Sequence, residues 1–377
     1  MKNILPIIFI TTFMTFLIGI GHFVIYKSFL AIFDITVFRI INIARVFFIL
    51  GSLSFVVMTI LTNYGYNKVL SFLYEISAMW LGTVYFLFIA SILFLMICGV
   101  GSIFGMPTVI VRTIGMVLLL SGLSVSIYGV IHTYHLNITN YTVKINNLPE
   151  AWNNKKIVMF ADTHFGNIRN VHFGERLVKK INEENPDLVL IAGDYYDGPH
   201  INDREVADVL KGVNSKKGVI FAPGNHEEYG NSKEFSQSLT NAGVLVLADN
   251  TITIDGIQVA GVDYATGSNK ELMTSVIDNM NLSKEMPKIL IKHAPNNLSV
   301  ASLGGFDLVV SGHVHQGQVW PGPWIVKKIF KEFSYGLNYF DKTAVVTTSG
   351  AGTWGPPQRV GTNSEIVIIN LQKNDSL

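Results

Sequence analysis

Residues 157–164 have the sequence IVMFADTH, an uninterrupted apolar run that ends in two side chains able to bind a metal ion. Such a short apolar run bounded by polar residues is typical of a buried β-strand. The helix-compatible stretch Val171–Asn185 follows, and then comes a second apolar run, Leu188–Ala192. Strand–helix–strand alternation predicts a domain built from α/β layers.

The alternation continues toward the C-terminus. A second helix-compatible stretch, Glu205–Val213, separates the second and third predicted strands. The further strand candidates are Val219–Ala222, Gln258–Val262, Ile289–Lys292, Leu308–Ser311 and Ala344–Thr348.

Five of the predicted strands are followed directly by potential metal ligands. Because the carboxyl ends of strands line the ligand crevice of an α/β sheet, we expect these side chains to converge. Carboxylate, amide oxygen and imidazole ligands suit divalent Mn, Fe, Zn, Co or Mg, and the absence of thiolates argues against a structural zinc site. The residues that follow the strands are Asp162 and His164, Asp194 and Asp197, Asn225 and His226, His293, and His313 and His315.

In this order, the motifs D-x-H, G-D-x-x-D, G-N-H-E, an isolated histidine and G-H-x-H resemble the calcineurin-like metallophosphoesterase superfamily. The resemblance covers Lys155–Leu371 and implies a β-sandwich flanked by helices, in α/β/β/α layers. One departure is Gln316, where the most similar branch is expected to have glycine. That branch is the bacterial YkuE/YaeI-like group, often membrane-attached or exported, and it is indicated by Gly312–Gln318, Tyr335–Leu337, Ser349–Gly352 and Glu365–Ile366.

The resemblance also implies a dinuclear site, with manganese as the first choice of metal, and hydrolysis through attack of a metal-activated hydroxide on phosphorus. His226 would act as general acid, and Asp197 would orient a ligand from outside the first coordination sphere. Asp194 would bridge the two metals and so belong to the catalytic machinery. One metal would be held by Asp162, His164, Asp194 and His315, and the other by Asp194, Asn225, His293 and His313.

The first 140 residues have a different composition from the rest. They contain six basic and two acidic residues, although the whole chain has 28 basic and 27 acidic ones. A hydrocarbon core of about 30 Å needs about 20 helical residues, which predicts a transmembrane domain over residues 1–136. A linker with the strand candidate Tyr141–Ile145 would occupy 137–154, and the metallophosphoesterase domain 155–377. The four predicted spans are Ile4–Tyr26, Ala44–Leu61, Ile76–Val100 and Thr113–Ile131.

Two features of the membrane part leave alternatives open. The apolar segment Phe29–Ile43 contains Asp34 and Arg39, so it is either an interfacial helix or part of a longer span. The first stretch follows Lys2, as a signal peptide would, but its length and the lack of a small-residue cleavage site favour a span. The loops after the first and third predicted spans contain four basic residues, and the opposite side of the membrane has three. Because basic residues are enriched in cytoplasmic loops, this count favours placing the hydrolase domain outside the cytoplasm.

The charge of the soluble part bears on its partners. Beyond residue 140 there are 22 basic and 25 acidic residues, which argues against nucleic acid as a partner. The expected partners are the lipid bilayer and a phosphoester substrate. The only cysteine, Cys98, lies in an apolar run and permits no intrachain disulfide.

The residues after Asp197 bear on the substrate. They are Gly198-Pro199-His200, whereas phosphoprotein phosphatases of the superfamily typically continue with Arg-Gly. The missing arginine removes a clamp for a dianionic monoester, which favours a phosphodiester or pyrophosphate-type bond in a cell-envelope or lipid-linked substrate. The alternative is a membrane sensor or scaffold that binds metal and ligand without turnover. A transporter is disfavoured because the spans contain few charges and no breaks.

The segment Val319–Phe333 interleaves aromatic residues with lysines. This pattern is typical of a lipid headgroup surface, but it also fits a rim loop packed on the domain. If the segment is exposed beside the site, an amphiphilic substrate is favoured.

Overall fold

The structure is a computed structural model that describes residues 4–198 and 200–374. Lys2 and Pro199, which the sequence arguments use, lie outside these described ranges. The chain divides into two compact units. One comprises Met1–Ile131 with Gly355–Gln358, and the other comprises His132–Trp354 with Arg359–Leu377.

The first unit contains four long helices, each apolar and long enough to cross a membrane. The four apolar N-terminal helices predicted from the sequence are therefore confirmed. The side chain of Asn67 caps the third helix by accepting from the Leu70 N–H, and Gly105 ends it with a φ of 65°. The helices are α1 (Ile4–Ile32), α2 (Phe38–Thr62), α3 (Lys68–Phe104) and α4 (Thr108–His132).

The apolar segment Phe29–Ile43, which contains Asp34 and Arg39, is divided between two of these helices. Because α1 continues to Ile32 and α2 begins at Phe38, the segment extends two spans and does not form a separate interfacial helix. Asp34 lies in the turn between them and accepts two hydrogen bonds from the Arg112 guanidinium, at 2.7 and 2.9 Å.

The second unit contains two six-stranded sheets. The first has the strand order β1-β12-β2-β3-β4-β5, and the second has the order β10-β11-β9-β8-β7-β6. The strands are β1 (Leu136–Ile145), β2 (Lys156–Phe160), β3 (Leu188–Ala192), β4 (Val219–Ala222), β5 (Leu245–Val246), β6 (Asn250–Ile254), β7 (Ile257–Gly261), β8 (Lys288–Ile291), β9 (Leu308–Ser311), β10 (Gly336–Phe340), β11 (Thr343–Thr347) and β12 (Ser364–Lys373).

Helices cover the outer faces of the sheets. The remaining helices are α5 (Val171–Glu183), α6 (Asp203–Asp208), α7 (Asn225–Tyr229), α8 (Ser232–Asn241), α9 (Tyr264–Ser268), α10 (Lys270–Asn279), α11 (Leu298–Leu303) and α12 (Gly322–Phe330). The predicted helix Glu205–Val213 is α6 followed by a 3₁₀ turn over Val209–Gly212.

The hydrophobic core forms three layers, and β2 shows how its sequence specifies them. Successive side chains of a strand point to opposite faces, so Ile157 and Met159 enter the core shared by both sheets. Val158 and Phe160 instead pack against helix α5 and its neighbours. A third cluster joins the outer face of the second sheet to helices α10 and α11. The predicted fold, a sandwich of two sheets flanked by helices, is confirmed.

The segment after the last membrane helix is more ordered than a linker. The predicted strand Tyr141–Ile145 is the second half of β1, which pairs in parallel with β12 from Leu136↔Ser364 to Ile145↔Lys373. The two ends of the domain are therefore joined in one sheet beside β2.

Candidate metal centre

The predicted ligands all follow the carboxyl ends of parallel strands. Strands β2, β3 and β4 are parallel neighbours in the first sheet, and β8 and β9 are parallel neighbours in the second. Because the two sheets pack face to face, the loops after these strands meet at one end of the sandwich. The structure brings the predicted ligand side chains together there and buries most of them.

The backbone of these loops is strained. A residue other than glycine rarely adopts a positive φ, and each such residue costs about 1 kcal/mol or more. Strain of this kind is typical of functional sites, where the surrounding structure holds side chains in a fixed orientation. Five of the seven predicted ligands adopt it: Asp162 (55°), His164 (50°), Asp194 (52°), His313 (72°) and His315 (47°).

Gln316 continues the strained run after His315. Its φ is 51°, and Gly317 after it has a φ of 77°. The left-handed conformation explains why glycine is expected at this position. Two other glycines are required for close approach, because a Cβ on Gly224 would collide with the Asp194 carboxylate and one on Gly312 with the Asp162 carboxylate.

One group of potential ligands consists of Asp162, His164 and His315. The Nε2 atoms of the two histidines lie 3.0 Å apart, and the Asp162 Oδ1 is 3.6 Å from His315 Nε2 and 4.0 Å from His164 Nε2. The His313 backbone N–H donates to Asp162, at 2.9 Å from Oδ2, and so fixes this carboxylate.

A second group consists of Asp194, His293 and His313. His293 Nδ1 lies 2.7 Å from the Ala192 carbonyl oxygen and donates to it, which directs Nε2 toward Asp194 Oδ2 at 3.0 Å. Asp194 Oδ2 is also 3.8 Å from His164 Nε2, so this carboxylate lies between the two groups. That position suits a bridging ligand.

Buried polar atoms that lack hydrogen-bond partners test whether these side chains fit a metal ion. Asn225 Oδ1 is buried, and no donor among the described residues reaches it. Nδ1 of His164 and Nδ1 of His315 are likewise buried without a hydrogen bond to the described chain. Buried polar atoms normally have partners, so an unpaired amide oxygen beside two groups of imidazoles and carboxylates fits divalent metal ions.

His226 lies beside these groups and is held by Asp197. Its Nδ1 donates to Asp197 Oδ1 at 2.8 Å, which leaves Nε2 at 4.0 Å from Asp194 Oδ2. Together with Asp194 and His164 it forms a third group with ligand spacing. The sequence predicted that Asp197 orients a metal ligand, whereas the structure shows it bonded to the residue predicted to be the general acid.

The site separates the pKa values of its histidines. Burial lowers the pKa of His164 and of His313 to about 4, so both rings are neutral and available as ligands. Burial also acts to lower the pKa of His226, but the hydrogen bond that its ring donates to Asp197 and the charge of Asp194 outweigh burial and raise that pKa. His226 is thereby kept protonated at higher pH than an ordinary histidine, as a general acid requires.

The two central carboxylates also differ. Burial raises the pKa of Asp162. Burial acts in the same direction on Asp194, but the neighbouring histidines, His293 foremost, outweigh it and lower its pKa. Asp194 therefore stays ionised to lower pH than Asp162 does.

Glu227 organises the site, a role that the sequence motifs do not indicate. It is 2% exposed, and its carboxylate accepts from three backbone N–H groups, of Gly224 (2.7 Å), Asp194 (3.0 Å) and Tyr196 (3.0 Å). These bonds tie the loop after β3 to the loop after β4. The motif G-N-H-E contains the residue, but its role depends on a loop about 30 residues away.

Sequence reasoning missed Arg359. Its fully buried guanidinium donates to backbone carbonyls of the segment Ser349–Gly352 and to the His315 carbonyl. That segment contacts the loop of Asp162, because the Ala351 N–H donates to the Ala161 carbonyl. Since Arg359 bonds mainly to backbone carbonyls, besides the Thr362 hydroxyl, no side-chain pattern in the sequence signals its role.

Comparison with known proteins agrees with this geometry. Residues 155–317 match the calcineurin-like phosphoesterase family. Residues 155–317 of this chain therefore belong to the calcineurin-like phosphoesterase family. The superfamily predicted from the order of the motifs is therefore confirmed, and all seven predicted ligands lie within the matched residues.

The phosphoesterase domain has relatives in bacteria and animals. An uncharacterized metallophosphoesterase of Campylobacter jejuni is 34% identical over 60% of this chain and 61% of its own length. The transmembrane protein with metallophosphoesterase domain of Danio rerio is 28% identical over 66% of this chain and 60% of its own length. YkuE, an uncharacterized metallophosphoesterase of Bacillus subtilis, is 26% identical over 64% of this chain and 87% of its own length. The chain thus spans less than two thirds of the first two proteins.

Proposed function

We propose that this chain is a membrane-anchored, dinuclear-metal phosphoesterase. It would hydrolyse a phosphodiester or pyrophosphate-type bond in a cell-envelope or lipid-linked substrate. The observation that carries the proposal is the convergence of two metal-ligand groups on Asp194, with the His226–Asp197 pair beside them. A site with metal ligands but no proton donor would indicate metal binding without catalysis.

The residues divide the chemistry between them. Asp162, His164, Asp194 and His315 would hold one metal, and Asp194, Asn225, His293 and His313 the other. Two bound divalent ions supply neutralisation of the phosphate charge and a lowered pKa for an attacking water. Asp197 holds the Nδ1–H tautomer of His226, so that Nε2–H can donate a proton to the leaving oxygen.

The orientation of Arg359 supports a diester or pyrophosphate-type substrate. Arg359 lies near the site, but its guanidinium donates to backbone carbonyls and is buried, so it does not present a fork to a phosphate. Bidentate hydrogen bonds from a guanidinium stabilise a bound dianionic monoester most, whereas a diester with one negative charge depends on them least.

The experiment compares a chromogenic phosphodiester with the matching monoester. The full chain is purified into lipid nanodiscs and assayed with manganese or with a chelator. Asp194→Asn removes the central charge, and Asp278→Asn makes the same change at an exposed position on α10. We expect metal-dependent diester turnover that Asp194→Asn abolishes and Asp278→Asn retains.

Two other results would refute parts of the proposal. Faster turnover of the monoester would contradict the substrate class but retain the enzyme. Metal binding by a folded protein that turns over neither substrate would support the alternative function of a membrane sensor or scaffold.

We also propose that the phosphoesterase domain lies outside the cytoplasm. Lys27 lies near the end of α1, Arg39 and Arg45 in the first part of α2, and Arg112 near the start of α4, so these basic residues lie toward the membrane side on which α1 and α3 end. The cytoplasmic ends of spans and the loops beside them are enriched in such residues. Phosphatase and green-fluorescent reporters fused after the final strand test the proposal. Phosphatase activity with no fluorescence is expected, and the opposite result would contradict it.

A further inference from the structure

Helix α12 has an uncovered apolar face. None of its nine residues is buried in the described chain, whereas other helices of the domain bury one face. The side chains of Trp324 and Ile329 are 60% and 66% exposed, and Ile325 beside them is also exposed. Large apolar side chains grouped on one short helix mark an interaction surface.

The position of this helix is fixed next to the metal centre. It begins seven residues after the candidate ligand His315. The side chain of Gln318 between them exchanges two hydrogen bonds, both of 3.0 Å, with the backbone of Trp354. The Trp354 ring lies 6.4 Å from the ring of His226, measured between centroids. Whatever covers α12 therefore lies close to the entrance of the site.

The composition of α12 selects a lipid surface. Its apolar residues lie on both sides of Lys327 and Lys328 in the sequence. The Lys328 Nζ lies 3.5 Å above the centre of the Trp324 ring. Tryptophan and lysine at the same depth in a bilayer are typical of the headgroup region. There the indole lies at the apolar boundary and the cation contacts lipid phosphate. Lys331 after the helix adds to the positive charge.

The short connection between α4 and β1 keeps the start of the domain close to the end of a membrane helix. Only three residues separate the end of α4 from the start of β1, which is at most about 11 Å of chain. These residues are held on the domain, because the Tyr134 ring lies under the guanidinium groups of Arg169 and Arg176, at 5.5 and 5.4 Å. His132 Nε2 is 2.8 Å from Asn363 Oδ1.

The size of the surface argues against a protein partner. A helix of nine residues is about 13 Å long and about 10 Å wide, so one face offers on the order of 130 Å². A stable protein interface buries about 800 Å² on each partner. A bilayer needs no such area, since the four membrane helices already hold the chain there.

We propose that α12 is a membrane-docking helix that inserts Trp324, Ile325 and Ile329 into the headgroup region of the bilayer carrying the chain. Docking would place the entrance of the metal centre at the lipid surface. The inference concerns binding to lipid and holds whether or not the site turns over a substrate.

Spin-label accessibility tests this docking on the full chain. Cys98→Ser removes the only natural cysteine, and a single cysteine then replaces Ile329. The matched control is a cysteine at Leu303, which is 89% exposed at the end of α11. Both proteins are labelled and placed in nanodiscs of phosphatidylcholine with phosphatidylglycerol, and collisions with oxygen and with a nickel chelate are measured.

We expect the label at position 329 to lose collisions with the nickel chelate and to gain collisions with oxygen, relative to position 303. Lys327→Gln with Lys328→Gln should reduce this difference. A label at 329 that is as open to nickel as at 303 would overturn the proposal. Protection from both reagents, lost when each nanodisc holds one chain, would also overturn it and indicate a second copy.

Discussion

Replacing Glu227 with glutamine tests whether this residue fixes the geometry of the metal centre. The carboxylate accepts three backbone N–H groups, two of them at Oε2 and one at Oε1. A glutamine amide retains one carbonyl oxygen, so its best orientation preserves the two bonds at the Oε2 position. Its NH₂ group then faces the Tyr196 N–H, donor against donor.

The magnitude follows from that count. One hydrogen bond to a charged group is lost, and one buried N–H is left unsatisfied, which costs about 1–3 kcal/mol. Because the bonds join the loops of Asp194 and Asn225, we expect part of the cost to appear as weaker metal binding. At about 1.4 kcal/mol for each factor of ten, the apparent affinity should fall by about a hundredfold at most.

Glu228 provides a matched control. It is the next residue, carries the same side chain and is exposed, and it accepts one N–H, from Ala265. Thermal unfolding and manganese titration of Glu227→Gln and Glu228→Gln would be compared in nanodiscs. Equal unfolding temperatures and equal manganese affinities for the two variants would refute the proposed role of Glu227.

Four further predictions address the domain. Arg359→Lys should cost at least about 2 kcal/mol of stability, measured by thermal unfolding, because an ammonium cannot satisfy all the carbonyls that the guanidinium reaches. Chelation should lower the unfolding temperature, since bound metal at 100 times its Kd stabilises the native state by about 2.7 kcal/mol. Burial acts to raise the pKa of Asp187, but hydrogen bonds from the Lys156 N–H and from Lys216 outweigh it and lower the pKa. Asp187→Asn should therefore cost about 1 kcal/mol at neutral pH, and the deficit, followed by unfolding across pH, should vanish as the pH falls through the lowered pKa. His226→Asn should slow hydrolysis of an alkyl diester by about 10²–10⁴ but that of a nitrophenyl diester far less, because only the alkoxide needs a proton; equal losses in the two assays would indicate a metal ligand.

Much of the site could be predicted because its chemistry follows the strands in the sequence. The run at Ile157–Ala161 and the residues Asp162 and His164 after it are adjacent in the chain, and the same holds for four further strands. The rule that carboxyl ends of strands meet is independent of how the rest of the chain folds. Short, fully buried strands were therefore located within a residue of their observed ends.

Pairings over long distances could not be predicted in this way. Strand β1 is parallel to β12, more than 200 residues later, and its first half has a mixed polar sequence. No periodicity within either segment identifies the partner. The exposure of Trp324 and Ile329 was equally undetermined, because an amphipathic pattern reports which face is apolar and not whether another element covers it.

The residues that sequence reasoning missed explain how the predicted ones keep their geometry. Five of the predicted ligands adopt a left-handed backbone at a cost of about 1 kcal/mol or more each, and such strain persists only where neighbouring contacts over-determine the loop. Glu227 supplies three bonds to the loops after β3 and β4, and Arg359 supplies bonds to the loop that contacts Asp162. Glu227 bonds to backbone N–H groups, and Arg359 bonds to backbone carbonyls and to the Thr362 hydroxyl, so these buried side chains act without a hydrogen bond to the side chain of a predicted ligand. A buried ionisable side chain that bonds mainly to backbone therefore indicates, in this domain, which loops must be held still for the predicted ligands to converge.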